Sequence, residues 1–151
     1  MQTQKNEKLI EYLVSSNPHL FPGDKRTVVN TLLAVASPGM VGELVEKHVA
    51  NKRGTYKLKA GTKGMDLADG TETKFATRSG RGIKVGGLKH KGEAKRIVMI
   101  IDDVDQNGEI FELTVTPDEI RNVDGTMPQH LNINKETMEK FADRKIVLAS
   151  F

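Results

Sequence analysis

Cysteine and tryptophan are both absent from this chain of 151 residues, which has only two tyrosines and five phenylalanines. Without cysteine the chain forms no disulfide, binds no metal through thiolates and has no cysteine nucleophile. No apolar run approaches the roughly 20 residues that cross a membrane, and the polar first residues lack the apolar segment of a signal peptide. We therefore expect a soluble, cytoplasmic protein without a membrane span.

The charge of the chain is distributed unevenly, although the net charge is only +3. Residues 74–96 contain eight Lys and Arg residues and one acidic residue, whereas residues 97–151 contain five and eleven. A basic segment of this kind favours a polyanionic partner. A solvated basic loop without a partner is the alternative interpretation.

Apolar residues at helical spacing predict three helices within residues 1–50, the first over 6–15. Asp24 is the expected N-cap of the second helix, and Ser37 that of the third, with Pro38 at its first position. His48 lies on the apolar side of the third helix, which favours a packing role over a catalytic one.

Beyond Thr55 the pattern changes to the period of strands. It predicts a strand over 56–60 and a hairpin over 64–76 that turns at Asp69–Gly70. A central strand over 96–102, buried on both faces, precedes a turn at 105–108 and a strand over 109–115. The prediction ends with a short helix or turn at Pro117, a helix from the Asn134 cap to about Phe141 and a strand over 146–148. Residues 78–92 are expected to form a long, mobile loop with a short strand near 83–85.

This order predicts one α/β or α+β domain in which N-terminal helices pack on a mixed β-sheet. We expect a helical part over 1–50, a sheet core over 55–115 that carries the basic loop 78–96, and a C-terminal helix and strand over 116–151. The length fits a single domain over 1–151.

The predicted hairpin contains the residues best suited to chemistry. Glu72 and Lys74 are two residues apart and share one face of a strand, and Asp66 can lie opposite them. Asp69 is the competing carboxylate, although a turn aspartate beside glycine has a structural reason to be there. Two carboxylates suit Mg²⁺ or Mn²⁺, and a nearby lysine can position the attacking water. The alternative is a surface hairpin with a Glu–Lys ion pair.

The stretch from Asp66 to Lys74 has the pattern Asp-x-x-Asp-Gly-Thr-Glu-x-Lys. It resembles the catalytic hairpin of the PD-(D/E)XK nuclease superfamily, in the style of type II restriction endonucleases. The resemblance implies a restriction-endonuclease-like core in which Asp66 and Glu72 bind Mg²⁺ and Lys74 assists the water. It also implies a glutamate from a preceding helix, for which Glu43 matches by position and Glu46 is the spare.

The basic segment interleaves cations with glycines, which allow the backbone to approach phosphates closely. The candidate nucleic-acid-binding residues are Arg78, Arg81, Lys84, Lys89, His90, Lys91, Lys95 and Arg96. Phosphate contacts carry no information about base sequence, so the pattern predicts affinity for a phosphate backbone and does not bear on sequence specificity. An exposed flexible loop is the simpler alternative.

Other metal and nucleotide motifs fail on spacing. The four histidines lack the HxH and HExxH arrangements of zinc sites, the acidic turn at 102–108 lacks EF-hand spacing, and the glycines of 80–87 lack the Lys-Ser/Thr ending of a P-loop.

The sequence therefore predicts a small Mg²⁺-dependent (or Mn²⁺-dependent) DNA endonuclease, phage-like or repair-like. Double-stranded DNA is the favoured substrate, and a homodimer is a simple way to supply two sites for two strands. Two alternatives remain open at this stage. One is a noncatalytic nucleic-acid-binding protein that uses the loop 78–96, and the other is a small interaction protein or inhibitor without affinity for DNA.

Overall fold

The computed structural model describes residues 5–59 and 65–151. Three helices come first in the chain, and strands and short helices follow. The helices are α1 (Glu7–Ser16), α2 (Lys25–Ala34), α3 (Pro38–Arg53), α4 (Val104–Asn107), α5 (Pro117–Ile120) and α6 (Lys135–Lys140), and a 3-10 turn spans Ala142–Arg144. The strands are β1 (Thr71–Thr77), β2 (Lys84–Val85), β3 (Arg96–Asp103), β4 (Glu109–Val115), β5 (Leu131–Asn132) and β6 (Ile146–Ser150).

The predicted helix caps are confirmed. The Asp24 side chain accepts a hydrogen bond from the Thr27 backbone, and Ser37 accepts one from Met40, with Pro38 opening α3. The Asn134 side chain caps α6 in the same way. These caps satisfy backbone N–H groups that the first turn of a helix leaves without a partner.

The main sheet has four strands in the order β1-β3-β4-β6. Strands β1 and β3 are parallel, whereas the β3–β4 and β4–β6 pairs are antiparallel. Strands β2 and β5 form a separate antiparallel pair. The fold is therefore α+β with a mixed sheet and N-terminal helices, as the sequence predicts.

Strand β3 separates two apolar cores, which explains its continuous apolar sequence. Val98 and Ile100 belong to the core formed with α1, α2 and α3. Ile97, Met99 and Ile101 belong to the core on the opposite face, where the β2–β5 pair and α6 cover the sheet. The predicted burial of this strand on both faces is confirmed.

The predicted hairpin over 64–76 is wrong. The turn at Asp69–Gly70 is present, with Gly70 at a φ of 90°. However, the residues described before it contribute only an isolated bridge between Lys57 and Leu67. Strand β1 instead pairs in parallel with β3. An Asp-Gly turn fixes local backbone geometry but does not choose the strand's partner, and burial beside the apolar β3 outweighs a local pairing.

The strand predicted over 56–60 is likewise reduced to the single bridge at Lys57, within the residues of this range that are described. Residue 60 and Gly64 lie outside the described residues. The predicted turn at 105–108 overlaps the one-turn helix α4, which ends at Asn107 and is followed by the C-cap Gly108 with a φ of 64°.

The long, mobile loop predicted over 78–92 is also corrected. Its short strand is present as β2, which pairs with β5. Val85 and Leu88 are fully buried, and the Leu88 backbone donates a hydrogen bond to the Gln129 carbonyl. The alternating apolar residues therefore anchor this segment over one face of the main sheet.

None of the helices in the described part of the chain is long and apolar enough to cross a membrane.

Candidate active site

A cleft of about 410 Å³ lies beside β1, at the end of the main sheet. Helix α3 forms one wall, and the glycine-containing segment 86–91 forms another. The polar and charged lining residues are Glu46, Asp66, Glu72, Thr73, Lys74 and Lys91. The structure thus brings Asp66, Glu72 and Lys74, which the sequence singles out, into one cleft.

Glu72 is the most deeply buried charged residue of this cleft, with only 2% of its surface exposed. Its Oε1 lies 3.1 Å from the Lys91 Nζ and 3.7 Å from the Lys74 Nζ. Its Oε2 is buried without a hydrogen-bond partner among the described residues. Buried polar atoms are rarely left without a partner, so this oxygen makes the cleft a candidate ligand site.

The electrostatics of Glu72 follow from its position. Burial raises the pKa of this carboxyl to about 7, and the negative charge of Asp66 adds to the increase. Lys91 and Lys74 act in the opposite direction but do not cancel the effect of burial. A carboxyl that is perturbed in this way inside a cleft is typical of functional sites.

Asp66 lies at the edge of β1 that does not pair with β3. Its Oδ2 accepts hydrogen bonds from the Thr73 backbone N–H at 2.9 Å and from the Thr73 hydroxyl at 3.0 Å. The competing carboxylate, Asp69, does not line the cleft and instead lies 2.7 Å from Arg53 Nε. The geometry therefore places Asp66, and not Asp69, beside Glu72.

The helix glutamates are placed differently from the sequence expectation. Glu43 is exposed and does not line the cleft, whereas Glu46, one turn further along α3, does. Lys57 Nζ lies 3.2 Å from Glu43 and 3.1 Å from Glu46. Spacing along the chain could not decide between the two, because that choice depends on how α3 is rotated against β1.

Lys91 is a site residue that sequence reasoning placed in another role. The sequence predicts that it contacts phosphates as part of the basic segment, but its Nζ lies 3.1 Å from Glu72 Oε1. The two residues are far apart in sequence, and the fold of segment 86–91 across the sheet brings them together. A basic residue near glycines gives no sequence signal for this contact.

The other predicted nucleic-acid-binding residues fall into two groups. Arg78 forms an ion pair with the buried Asp103, and Arg96 donates to the Thr71 hydroxyl at 3.0 Å and lies 3.5 Å from Asp69. These two arginines therefore have structural roles. The exposed members of the set are Arg81, Lys84, Lys89, His90 and Lys95.

The carboxylates of the cleft are the candidate ligands of a divalent metal. In the described part of the chain, no group of three or more His, Cys, Asp or Glu side chains is arranged to hold a metal ion. The candidate ligands in the cleft are the carboxylates of Asp66 and Glu72, and the Glu72 Oε2 has no hydrogen-bond partner among the described residues. This set fits Mg²⁺, which typically uses one or two carboxylates and completes its shell with waters and substrate phosphate oxygens.

A larger cleft of about 580 Å³ lies at the other end of β1 and contains Asp102. Burial raises the pKa of this carboxyl. However, Asp102 accepts hydrogen bonds from the Asn6 side chain at 3.1 Å and from the Val104 backbone at 3.3 Å. Its oxygens are satisfied, so Asp102 serves to join the start of α1 to the end of β3.

Comparisons of the chain with protein-family models, curated proteins and solved structures find no match.

Proposed function

We propose that this protein is a Mg²⁺-dependent endonuclease that hydrolyses phosphodiester bonds in DNA at the cleft beside β1. The observation that carries the proposal is the state of Glu72, which is buried beside Asp66 and two lysines while its Oε2 lacks a partner. A surface Glu–Lys pair would leave the carboxylate in water. Burying it incurs an energetic cost that a structural pair does not require.

Each side chain has a distinct role in the proposed reaction. Asp66 and Glu72 would hold the metal, and Thr73 fixes the orientation of Asp66 through two hydrogen bonds. Bound Mg²⁺ would polarise the phosphate and lower the pKa of a bound water. Lys74, on the same face as Glu72, would position that water and offset negative charge that develops on the phosphate.

The exposed cations near the cleft support a nucleic-acid substrate. Lys84 and Lys89 belong to the same segment as Gly86 and Gly87, which line the cleft, so a backbone bound there would meet positive charge. The chain has no tryptophan and few tyrosines for stacking on unpaired bases, which favours a double-stranded substrate. A homodimer and a cytoplasmic location are parts of this proposal that derive from the sequence.

The test is cleavage of supercoiled plasmid and short duplexes with Mg²⁺, Mn²⁺ or EDTA. We expect metal-dependent nicking by the wild-type protein and at least about a hundredfold loss in Glu72→Ala and Lys74→Ala. Glu93→Gln is the matched control, because Glu93 is an exposed acid outside the cleft. Circular dichroism on each variant separates loss of chemistry from loss of fold.

The outcomes separate the candidate functions. Metal-dependent cutting that both substitutions abolish supports the nuclease and its core residues. Salt-sensitive binding of DNA without cutting would favour a noncatalytic protein that uses the segment 78–96. Absence of both activities would contradict the proposal and favour a protein partner.

A further inference from the structure

Lys91 reaches the candidate metal site from outside β1. Its side chain crosses from the segment after Leu88, which is fully buried, and its own backbone N–H donates to the Leu88 carbonyl at 3.0 Å. The Lys91 Nζ lies 3.1 Å from Glu72 Oε1, closer than the Lys74 Nζ at 3.7 Å. The closest cation to Glu72 is therefore not the lysine of the Glu-x-Lys pattern.

We infer that Lys91 is a displaceable counter-ion, which competes with the divalent metal for Glu72 and, once displaced, contacts a phosphate of the bound DNA. The inference rests on the proposed function, since it names a positioning residue of the same site. It assigns Lys91 a role different from that of Lys74, whose ammonium stays beside Gly87.

Competition follows from the number of charges at the site. Glu72 and Asp66 carry two negative charges at most, and Lys91 and Lys74 already supply two positive charges within reach of Glu72. A divalent ion would add two more in a confined space, and like charges at short distance repel strongly where water is excluded. Removal of one ammonium therefore strengthens metal binding to the ionised Glu72 carboxylate.

The direction of displacement follows from the shape of the cleft. Lys91 has 24% of its side chain exposed, and it is carried by a segment that also presents the exposed Lys89 and His90. A lysine side chain has a long flexible stem, so its ammonium can leave Glu72 without movement of the buried Leu88. Metal binding would thus add one phosphate contact to the DNA-binding surface.

The first experiment measures Mn²⁺ binding to the protein alone by electron paramagnetic resonance, at an alkaline pH at which Glu72 is ionised. We expect Lys91→Met to bind Mn²⁺ about tenfold more tightly than wild type, because a charge-assisted contact with Glu72 no longer competes. Lys47→Met is the matched control, because Lys47 is an exposed lysine of α3 that does not contact Glu72, and its substitution removes the same charge. Lys91→Gln repeats the test if the methionine variant fails to fold.

The second experiment measures the affinity for a duplex with Ca²⁺ or with EDTA. We expect the gain in affinity on adding Ca²⁺ to be roughly fivefold smaller in Lys91→Met than in wild type at about 0.1 M salt, which corresponds to one phosphate contact. Equal Mn²⁺ affinity in wild type and Lys91→Met would overturn this inference and leave the proposed nuclease intact. Failure of the wild-type protein to bind Mn²⁺ at millimolar concentration would overturn both.

Discussion

Lys74 and Gly87 approach so closely that a side chain at residue 87 would displace the ammonium of Lys74. A Cβ built on Gly87 would lie 2.9 Å from the Lys74 Nζ, and the backbone there has a φ of 69°, which favours glycine. Gly87 therefore allows the segment 86–91 to pass over β1 while the ammonium of Lys74 stays beside Glu72.

Gly87→Ala is expected to lower the rate of DNA cleavage by roughly a hundredfold, because the new methyl group displaces Lys74 from the reacting atoms. The measurement is the single-turnover rate with Mg²⁺. Gly54→Ala is the matched control, since Gly54 has a φ of 68° but open space around its Cβ position. Both variants incur similar backbone strain, and equal cleavage rates would contradict the positioning role of Gly87.

The two helix glutamates are distinguished by a pair of substitutions. Glu46→Gln is expected to lower cleavage about tenfold, because Glu46 lines the cleft with Asp66 and Glu72. Glu43→Gln is expected to change it by less than about twofold, since Glu43 is exposed outside the cleft. Both contact Lys57, so an effect through that lysine would appear in both variants. A larger effect of Glu43→Gln would contradict the orientation of α3.

The sequence predicts the helices and the central strands because their signals are local. Asp24 and Ser37 are caps within a few residues of the helices they start, and the apolar run of β3 reports burial on both faces. The partner of β1 depends on a contact with a strand about 25 residues further along, Thr71 with Arg96 for example. Turn chemistry at Asp69–Gly70 holds no information about that pairing.

The candidate site was predictable only where its residues belong to one short motif. Asp66, Glu72 and Lys74 lie within nine residues, and one turn and one strand bring them together. Lys91 and Glu46 come from other elements, and their places follow from packing of the segment 86–91 and of α3. Exposed cations could not be told from paired ones either, because Arg78 owes its role to Asp103 at the end of β3.

Glu72→Gln is expected to raise the stability of the protein at pH 8 by about 2 to 3 kcal/mol. The folded pKa of Glu72 is about 7, above the ordinary value of 4.5, mainly because the carboxyl is buried. The folded state therefore binds the proton of Glu72 more tightly than the unfolded chain does. The stability that this protonated carboxyl contributes is lost as the pH rises from 4.5 through 7. Urea unfolding of both proteins at several pH values measures the difference, which should vanish near pH 4.5. A Glu72→Gln variant that is less stable than wild type at pH 8 would contradict the raised pKa of Glu72.

Arg78 and the exposed cations are expected to respond differently to substitution. Arg78→Ala removes the cationic partner of Asp103, whose side chain is 3% exposed, so it should destabilise the fold by roughly 3 kcal/mol. Lys84→Ala and Lys89→Ala should leave stability unchanged. Each should also reduce the slope of log binding constant against log salt concentration by about one, which corresponds to one phosphate contact. Thermal unfolding and salt titrations of duplex binding provide the two measurements. An unchanged salt slope in both lysine variants would show that bound DNA does not contact Lys84 or Lys89.

His48 is expected to make the fold sensitive to acid. Its ring is 5% exposed, its Nδ1 lies 2.8 Å from the Asn17 amide, and its Nε2 is buried without a hydrogen-bond partner among the described residues. Burial, with a smaller contribution from Lys52, lowers its pKa from 6.5 to about 4. The unfolded chain therefore binds a proton more readily than the folded protein between these two pH values, and stability falls as the pH is lowered through that window.

The test compares wild type with His48→Gln, which keeps a polar side chain beside Asn17 but does not titrate. Between pH 7 and pH 4 the wild-type protein is expected to lose about 3 kcal/mol more unfolding free energy than His48→Gln, the amount set by the difference between 6.5 and 4. His19→Gln, at an exposed histidine, serves as the control and should follow wild type. If His48→Gln and wild type lose stability in parallel, other groups govern the acid response, and protonation of His48 does not loosen the packing of α1 against α3.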